Sequence, residues 1–270
     1  MTDPQLRYAY VDTPLGQLHY AEAGEGTPMV LLHQTPRSLD EFADVQPGLA
    51  RNRRTLAMDM YGFGMSAKPA GPQSIETYAE GVFAFVDALG LDEFVLFGHH
   101  TGAFVATEVA AAAPERIRTL VVSGTAYGDE AYRAQDVHHQ VDNFPVADDG
   151  SHLQQLWDFR AALYPKQRPD ILNRFIRDAL APGVNPSVGH VAVAHYRMED
   201  RLANITAPVL VLAPTDDPAS YPFIEPMVAA LTRAESVQVV DIDGGTIPLM
   251  EHKPDEVVSA VNTFLDGLGC

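Results

Sequence analysis

Nine residues constrain this chain more than any other stretch: Phe94-Val95-Leu96-Phe97-Gly98-His99-His100-Thr101-Gly102. The first four form a continuous apolar run, which suits a strand buried on both faces. From Thr101 the sequence becomes Ala-rich and runs to Pro114, the pattern of a helix with a proline stop. Very few residues separate strand from helix, so the turn is tight, and Gly98 and Gly102 let it pass close to neighbouring backbone. The central residue, His100, is forced toward positive φ, where histidine is among the enriched non-glycine residues. Alone, a G-x-H-x-G string says little.

The rest of the chain gives it a setting. Strands are expected at Arg7–Val11, Gln17–Ala21, Pro28–Leu32, Arg54–Met58, Phe94–Phe97, Ile117–Val122, Val209–Leu212 and Val237–Ile242. A helix should start after the N-cap Ser74, bury Tyr78, Val82, Phe85, Val86 and Leu89, and end at Gly90. Further helices are expected at Thr101–Ala113, Phe223–Leu231 and Pro254–Leu268. Strands alternating with helices imply parallel pairing with right-handed crossovers. Residues 126–203 break the rhythm: they hold aromatic residues and helical patterns such as Asp170–Leu180 but no convincing parallel strand. The expected layout is a core of 1–125 and 204–270 with a helical cap inserted at 126–203.

Four further motifs lie in register with the glycine-flanked turn. His33-Gln34-Thr35-Pro36 follows the third strand, and Asp59-Met60-Tyr61-Gly62-Phe63-Gly64-Met65-Ser66 follows the fourth. Pro214-Thr215-Asp216-Asp217-Pro218 and the stretch from Asp241 to Glu251 follow the last two. In order and spacing these resemble the α/β-hydrolase fold, of the kind that includes small-molecule esterases, haloperoxidases and C–C bond hydrolases. The resemblance implies a mostly parallel eight-stranded sheet flanked by helices. It also implies a nucleophile elbow at 98–102, an oxyanion hole from the loop at 33–36 and the start of the following helix, and an acid on the loop at 214–218.

The departures from that family pattern direct the functional reading. The family's serine position is His100, its catalytic histidine position is Thr246, and the glycine after His33 is Gln34; only the acid remains, as Asp217 with Asp216 as rival. A serine mechanism needs a hydroxyl that attacks and an imidazole that takes its proton, and both positions have changed. The catalytic candidates are therefore His100, Asp217 and Thr246. His100 would replace both missing groups, with Asp217 orienting its ring directly, through Thr246, or through a water. The backbone N–H groups of Thr101 and of Gln34 or Thr35 would form the oxyanion hole. His33, Thr35, Phe144, Trp157 and His195 are the candidate substrate contacts, with Phe159, Tyr164 and Tyr196 further aromatic wall residues. Each has a plainer reading: a retired elbow at His100, a loop residue at Thr246, a turn cap at Asp217, a loop-orienting ring at His33 and a packed core ring at His99. His252 is expected to face solvent.

The expected chemistry is proton abstraction or water activation at a small carbonyl substrate: ester or lactone hydrolysis, C–C cleavage or a cofactor-free lyase step. The alternative is a catalytically silent protein that binds a small ligand under the cap. Net charge is −18, which argues against nucleic acid or anionic membrane as partner. The one cysteine, Cys270, excludes a Cys-rich metal site, and no histidine spacing suits a metal, although His33, His100 and His138, His139 or His195 are numerous enough to raise the question. No cofactor is expected. Neither a secretory leader nor a transmembrane run is expected, so a cytoplasmic protein is the default. The sequence leaves a homodimer open.

Overall fold

The computed structural model describes residues 4–134 and 141–269, so His138, His139 and Cys270 lie outside the described residues. Eight strands form one sheet: β1 (Arg7–Thr13), β2 (Gly16–Ala23), β3 (Pro28–Leu32), β4 (Arg54–Met58), β5 (Phe94–His99), β6 (Ile117–Ser123), β7 (Val209–Pro214) and β8 (Val237–Ile242). Their order is β1-β2-β4-β3-β5-β6-β7-β8. The pairs β1–β2 and β2–β4 are antiparallel and all others parallel. The helices among the described residues are α1 (Gln46–Leu49), α2 (Ile75–Ala88), α3 (Thr101–Ala112), α4 (Glu130–Arg133), α5 (Ser151–Ala161), α6 (Pro169–Ala179), α7 (Val188–His195), α8 (Ile224–Ala230), α9 (Leu249–His252) and α10 (Pro254–Gly267). None is long and apolar enough to cross a membrane.

The continuous apolar runs are explained by burial on both faces. Along β3, Val30 and Leu32 join Val82 of α2 and Val105 of α3 on one side, while Met29 and Leu31 join Leu49 and Val261 on the other. Ser74 caps α2 as its pattern requires, its side chain accepting from the Thr77 N–H, and Gly90 follows the helix at φ 64°.

Between β6 and β7 the described chain is helical. Helices α5 and α6 enclose a small core of their own around Leu156, Ile171, Leu172 and Phe175. Helix α7 instead sends Ala192 and Val193 into the main core. Its Gly189 has no room for a side chain, since a Cβ there would lie 1.9 Å from Thr35 Oγ1. This contact seats α7 directly on the loop after β3.

Charge ties α6 to the same loop. Arg37 is fully buried, with Nε 2.9 Å from Asp178 Oδ2 and Nη1 2.6 Å from Glu251 Oε1. Arg174 on α6 reaches Asp40 Oδ2 at 2.8 Å and Asp44 Oδ2 at 2.6 Å. Burial, reinforced by Glu41, pushes the Glu251 carboxyl up to about 7 despite the opposing pull of Arg37 and Arg174.

The turn from β5 to α3 rests on missing side chains. A Cβ at Gly98 would lie 2.2 Å from the Gly102 carbonyl oxygen, and one at Gly102 would lie 2.1 Å from the Leu32 carbonyl oxygen. His99 is packed just before the turn. Its Nε2 donates to the Ile247 carbonyl at 2.9 Å, which leaves Nδ1 to accept from Ser123 Oγ at 3.2 Å. Burial pushes this ring down to about 4, with Glu41 opposing and His100 adding to the effect.

Two outcomes follow. Gly102→Ala overpacks a backbone contact and should cost at least ~1–3 kcal/mol, visible as a melting temperature lowered by several degrees; an unchanged melt would contradict the close approach. An unfolded histidine takes its proton near 6.5 and folded His99 only near 4, so the unfolded chain binds more protons between these values. The His99 contribution is therefore present above pH 6.5 and lost as pH falls toward 4, by at most ~3 kcal/mol. Urea unfolding at pH 7 and 5.5 should show this loss in the native chain and a smaller loss in His99→Gln.

Candidate active site

His100 stands between β5 and α3 with φ 47° and ψ −116°. That ψ lies outside the left-handed helical basin, so the tolerance of histidine for that basin does not account for it. The residue is strained by roughly 1–3 kcal/mol. Three backbone bonds hold it: its N–H donates to the Ser123 carbonyl at 2.9 Å, and its carbonyl accepts from the Ala103 N–H at 2.8 Å and the Phe104 N–H at 3.3 Å.

The imidazole lies along Gly124, where a Cβ would come within 2.9 Å of Nε2. Nε2 itself is buried and sits 3.0 Å from Asp217 Oδ2. The separation is that of a hydrogen bond, but the N–H vector does not point at the oxygen, so the contact is a close electrostatic one. Nδ1 has no partner among the described residues and is the ring nitrogen left to the cavity that His100 lines.

Asp217 is fully buried on the loop after β7. Its Oδ2 also accepts from Ser220 Oγ at 2.5 Å, and its Oδ1 from the Ala219 N–H at 2.9 Å. Burial alone would raise its pKa; the neighbouring His100 and these donors outweigh it and hold the carboxyl below its usual value. Asp216 is exposed, and its backbone N–H bonds the Gly245 carbonyl at 2.8 Å. The acid beside His100 is Asp217.

Thr246 does not join them. Its Oγ1 lies 2.9 Å from His252 Nδ1, and it does not line the cavity. His252 is half-buried against it, where the sequence suggested a solvated ring. The short β8–α9 loop turns both side chains toward each other.

Of the two residues expected to supply the second oxyanion donor, Gln34 is engaged elsewhere. The Gln34 backbone N–H is spent on Glu41 Oε2 at 2.7 Å, and its side-chain amide donates to Glu41 Oε1 at 2.5 Å. The buried carboxylate seven residues along the chain thus removes Gln34 as a donor to substrate. The Thr35 N–H has no partner among the described residues, and Thr101 supplies the first N–H of α3. Their hydroxyls meet at 2.9 Å, and both residues line the cavity beside His100. Thr35 and Thr101 are the available pair.

The cavity holds about 290 Å³ and lies between the C-terminal ends of the central strands and the helices that follow β6. Of the expected substrate contacts, only Thr35 lines it; Phe159, expected as a wall residue, also does. His33 is locked in the loop, Nδ1 to the Gln34 carbonyl at 2.6 Å and Nε2 accepting from the Met60 N–H at 2.9 Å. Phe144 and Trp157 pack against the small core of α5 and α6, and His195 is exposed. Tyr164 is buried away from the cavity, and Tyr196 gives its hydroxyl to Glu108 at 2.9 Å. The remaining walls are residues the sequence did not single out, among them Phe104, Tyr132, Arg160, His190, Val193 and Phe223. Among the described residues, no three His, Cys, Asp or Glu side chains are grouped to hold a metal.

Comparison with known proteins agrees with this architecture. Haloalkane dehalogenase 2 of Mycobacterium tuberculosis is 33% identical over 127 residues, 46% of this chain and 44% of that protein. The 2-hydroxymuconate semialdehyde hydrolase of a Pseudomonas species is 34% identical over 109 residues, 39% of this chain and 38% of that one. The matched stretch thus spans less than half of these curated relatives. Among solved structures, a hydrolase from Pseudomonas aeruginosa superposes with a TM-score of 0.79 at 23% identity, covering 96% of this chain and 98% of that one. The enol-lactonase of Burkholderia xenovorans gives 0.78 at 19% identity, covering 96% and 100%; at such identities the likeness is one of fold. The family model of the alpha/beta hydrolase fold matches residues 27–253, and by that match the chain belongs to the alpha/beta hydrolase fold family.

Proposed function

We propose that this protein is a hydrolase-like enzyme in which His100 is the working base on a small carbonyl-containing substrate, at the elbow where the family carries a serine nucleophile. The observation that carries this reading is the division of labour on one ring: Nε2 is buried 3.0 Å from Asp217, while Nδ1 has no partner among the described residues and is left to the cavity. A carboxylate held ionised beside Nε2 keeps the proton on that nitrogen and leaves the Nδ1 lone pair for chemistry.

In a hydrolytic cycle, Nδ1 takes a proton from water as that water attacks the carbonyl carbon. The tetrahedral oxyanion is met by the N–H groups of Thr101 and Thr35, the former at the start of α3, where the helix dipole favours negative charge. Asp217 stabilises the imidazolium so formed. The proton then passes from Nδ1 to the departing oxygen or carbon, and the site returns to its starting state. The same base removing a proton next to a carbonyl would serve a lyase. Direct attack by His100 is disfavoured: Thr246, at the family's base position, is engaged with His252, so no second base stands ready to hydrolyse an acyl-imidazole.

The test is hydrolysis of p-nitrophenyl acetate by the native chain, His100→Ala and Asp217→Asn from about pH 5 to 9. The expected result is a measurable rate in the native chain. It should fall at least ~100-fold in His100→Ala, and less steeply in Asp217→Asn. Equal rates in the native chain and His100→Ala would remove His100 from the chemistry and assign the cavity to ligand binding.

A further inference from the structure

The cavity lining holds a second polar group that the proposed chemistry does not use. Arg160 on α5 and His190 on α7 both line it. They are held by Asp142, which is buried and stands at φ 56°, one of two positive-φ residues other than glycine among the described residues; the other is His100. Asp142 Oδ1 accepts from Arg160 Nε at 2.7 Å, and its Oδ2 contacts Arg160 Nη2 and lies 3.1 Å from His190 Nε2. A left-handed, non-glycine backbone costs roughly 1–3 kcal/mol and persists only where its surroundings over-determine it. Here that conformation delivers one carboxylate to two cavity-lining side chains.

The guanidinium is fixed in plane as well. Its carbon sits 4.4 Å from the centre of the Phe175 ring. Two of its three nitrogens are engaged by Asp142, and Nη1 has no partner among the described residues although Arg160 is only 3% exposed. The unengaged nitrogen belongs to a rigid, buried side chain on a cavity wall. The same lining includes the apolar side chains of Phe104, Leu163, Val193, Phe223 and Ile247.

We propose that Arg160 Nη1 docks a neutral oxygen acceptor at the far end of the substrate, so that the preferred substrates are dicarbonyl compounds: an ester or ketone that reacts at His100, an apolar spacer, and a second, uncharged carbonyl oxygen at Arg160. This rests on the reading that the reacting carbonyl sits at His100. The second oxygen is assigned as neutral because the subsite carries no spare positive charge. Asp142 already balances Arg160, and burial outweighs the opposing pull of Asp142, with Arg160 and His100 adding to it, and keeps His190 below its ordinary pKa. A substrate carboxylate would share the guanidinium with Asp142 and gain little against the cost of its own desolvation. A carbonyl oxygen accepts from an already charged donor and loses little hydration.

Three p-nitrophenyl esters of similar length separate the cases: pentanoate, with no acceptor; 4-oxopentanoate, with a neutral one; and hydrogen succinate, with a carboxylate. The native chain should show a KM about tenfold lower for 4-oxopentanoate than for pentanoate, and no gain for the succinate. In Arg160→Lys, which keeps a cation against Asp142 but offers one nitrogen in place of three, the keto-to-alkyl ratio should collapse toward one. If that variant fails to fold, calorimetry on His100→Ala with ethyl 4-oxopentanoate and ethyl pentanoate should still show the same preference in binding. That measurement needs no turnover, so it also separates this inference from the role of His100. No keto preference, one that survives Arg160→Lys, or a larger gain for the succinate would overturn it. Loss of the His100 dependence with the keto preference intact would instead overturn only the assignment of the base.

Discussion

The approach of backbone to backbone at Gly98 and Gly102 is the contact on which the site depends. With no Cβ at either position, α3 can start against the ends of β5 and β3, a few ångströms from the carbonyls of Leu32 and His33. That proximity compresses the link between strand and helix into one residue, and His100 absorbs the torsional cost. It also brings the first N–H of α3 beside the loop that carries Thr35. Gly124 completes the arrangement by leaving the end of β6 bare where the imidazole lies. Three features that the chemistry would use (a strained base and two N–H donors) are thus consequences of absent methyl groups, and the acid Asp217 reaches the base from the loop after β7.

Much of this could be read in the sequence because it is written locally. Continuous apolar runs mark strands buried on two faces, and Ser74 and Gly90 mark the ends of α2 within one or two residues. The glycine spacing around His100 has no other economical explanation. What the sequence hid is decided by partners far along the chain or by which side of a helix meets which core. Gln34 is silenced as a donor by Glu41, and nothing in the string His33-Gln34-Thr35-Pro36 reports it. Asp216 and Asp217 are indistinguishable as neighbours in a turn, yet one backbone bond to Gly245 fixes the turn so that the first points out and the second in. Helix α5 carries Trp157, Phe159 and Arg160, and only its position between a small core and a cavity determines that the tryptophan packs while the other two face the ligand space.

The two polar groups that His100 and Arg160 bring to the cavity lining are built by the same device in different places. At each, a buried aspartate holds a cavity-lining nitrogen side chain by one edge and leaves another nitrogen unengaged: Asp217 with His100, Asp142 with Arg160. A buried carboxylate is expensive unless paired, and here the pairing also keeps each ligand-facing group in a single orientation.

The cluster around Arg37 has a consequence for how this sequence can change over generations. Its guanidinium is shared by Asp178 on α6 and Glu251 on α9, with Glu41 nearby and itself holding the loop that presents Thr35. Removing one member strands the opposite charges in a dry interior, whereas replacing the whole set with apolar side chains of similar volume can be nearly neutral. Positions 37, 41, 178 and 251 are therefore coupled in their effects. A change at one of them alone carries a stability cost that a joint change of all four need not carry.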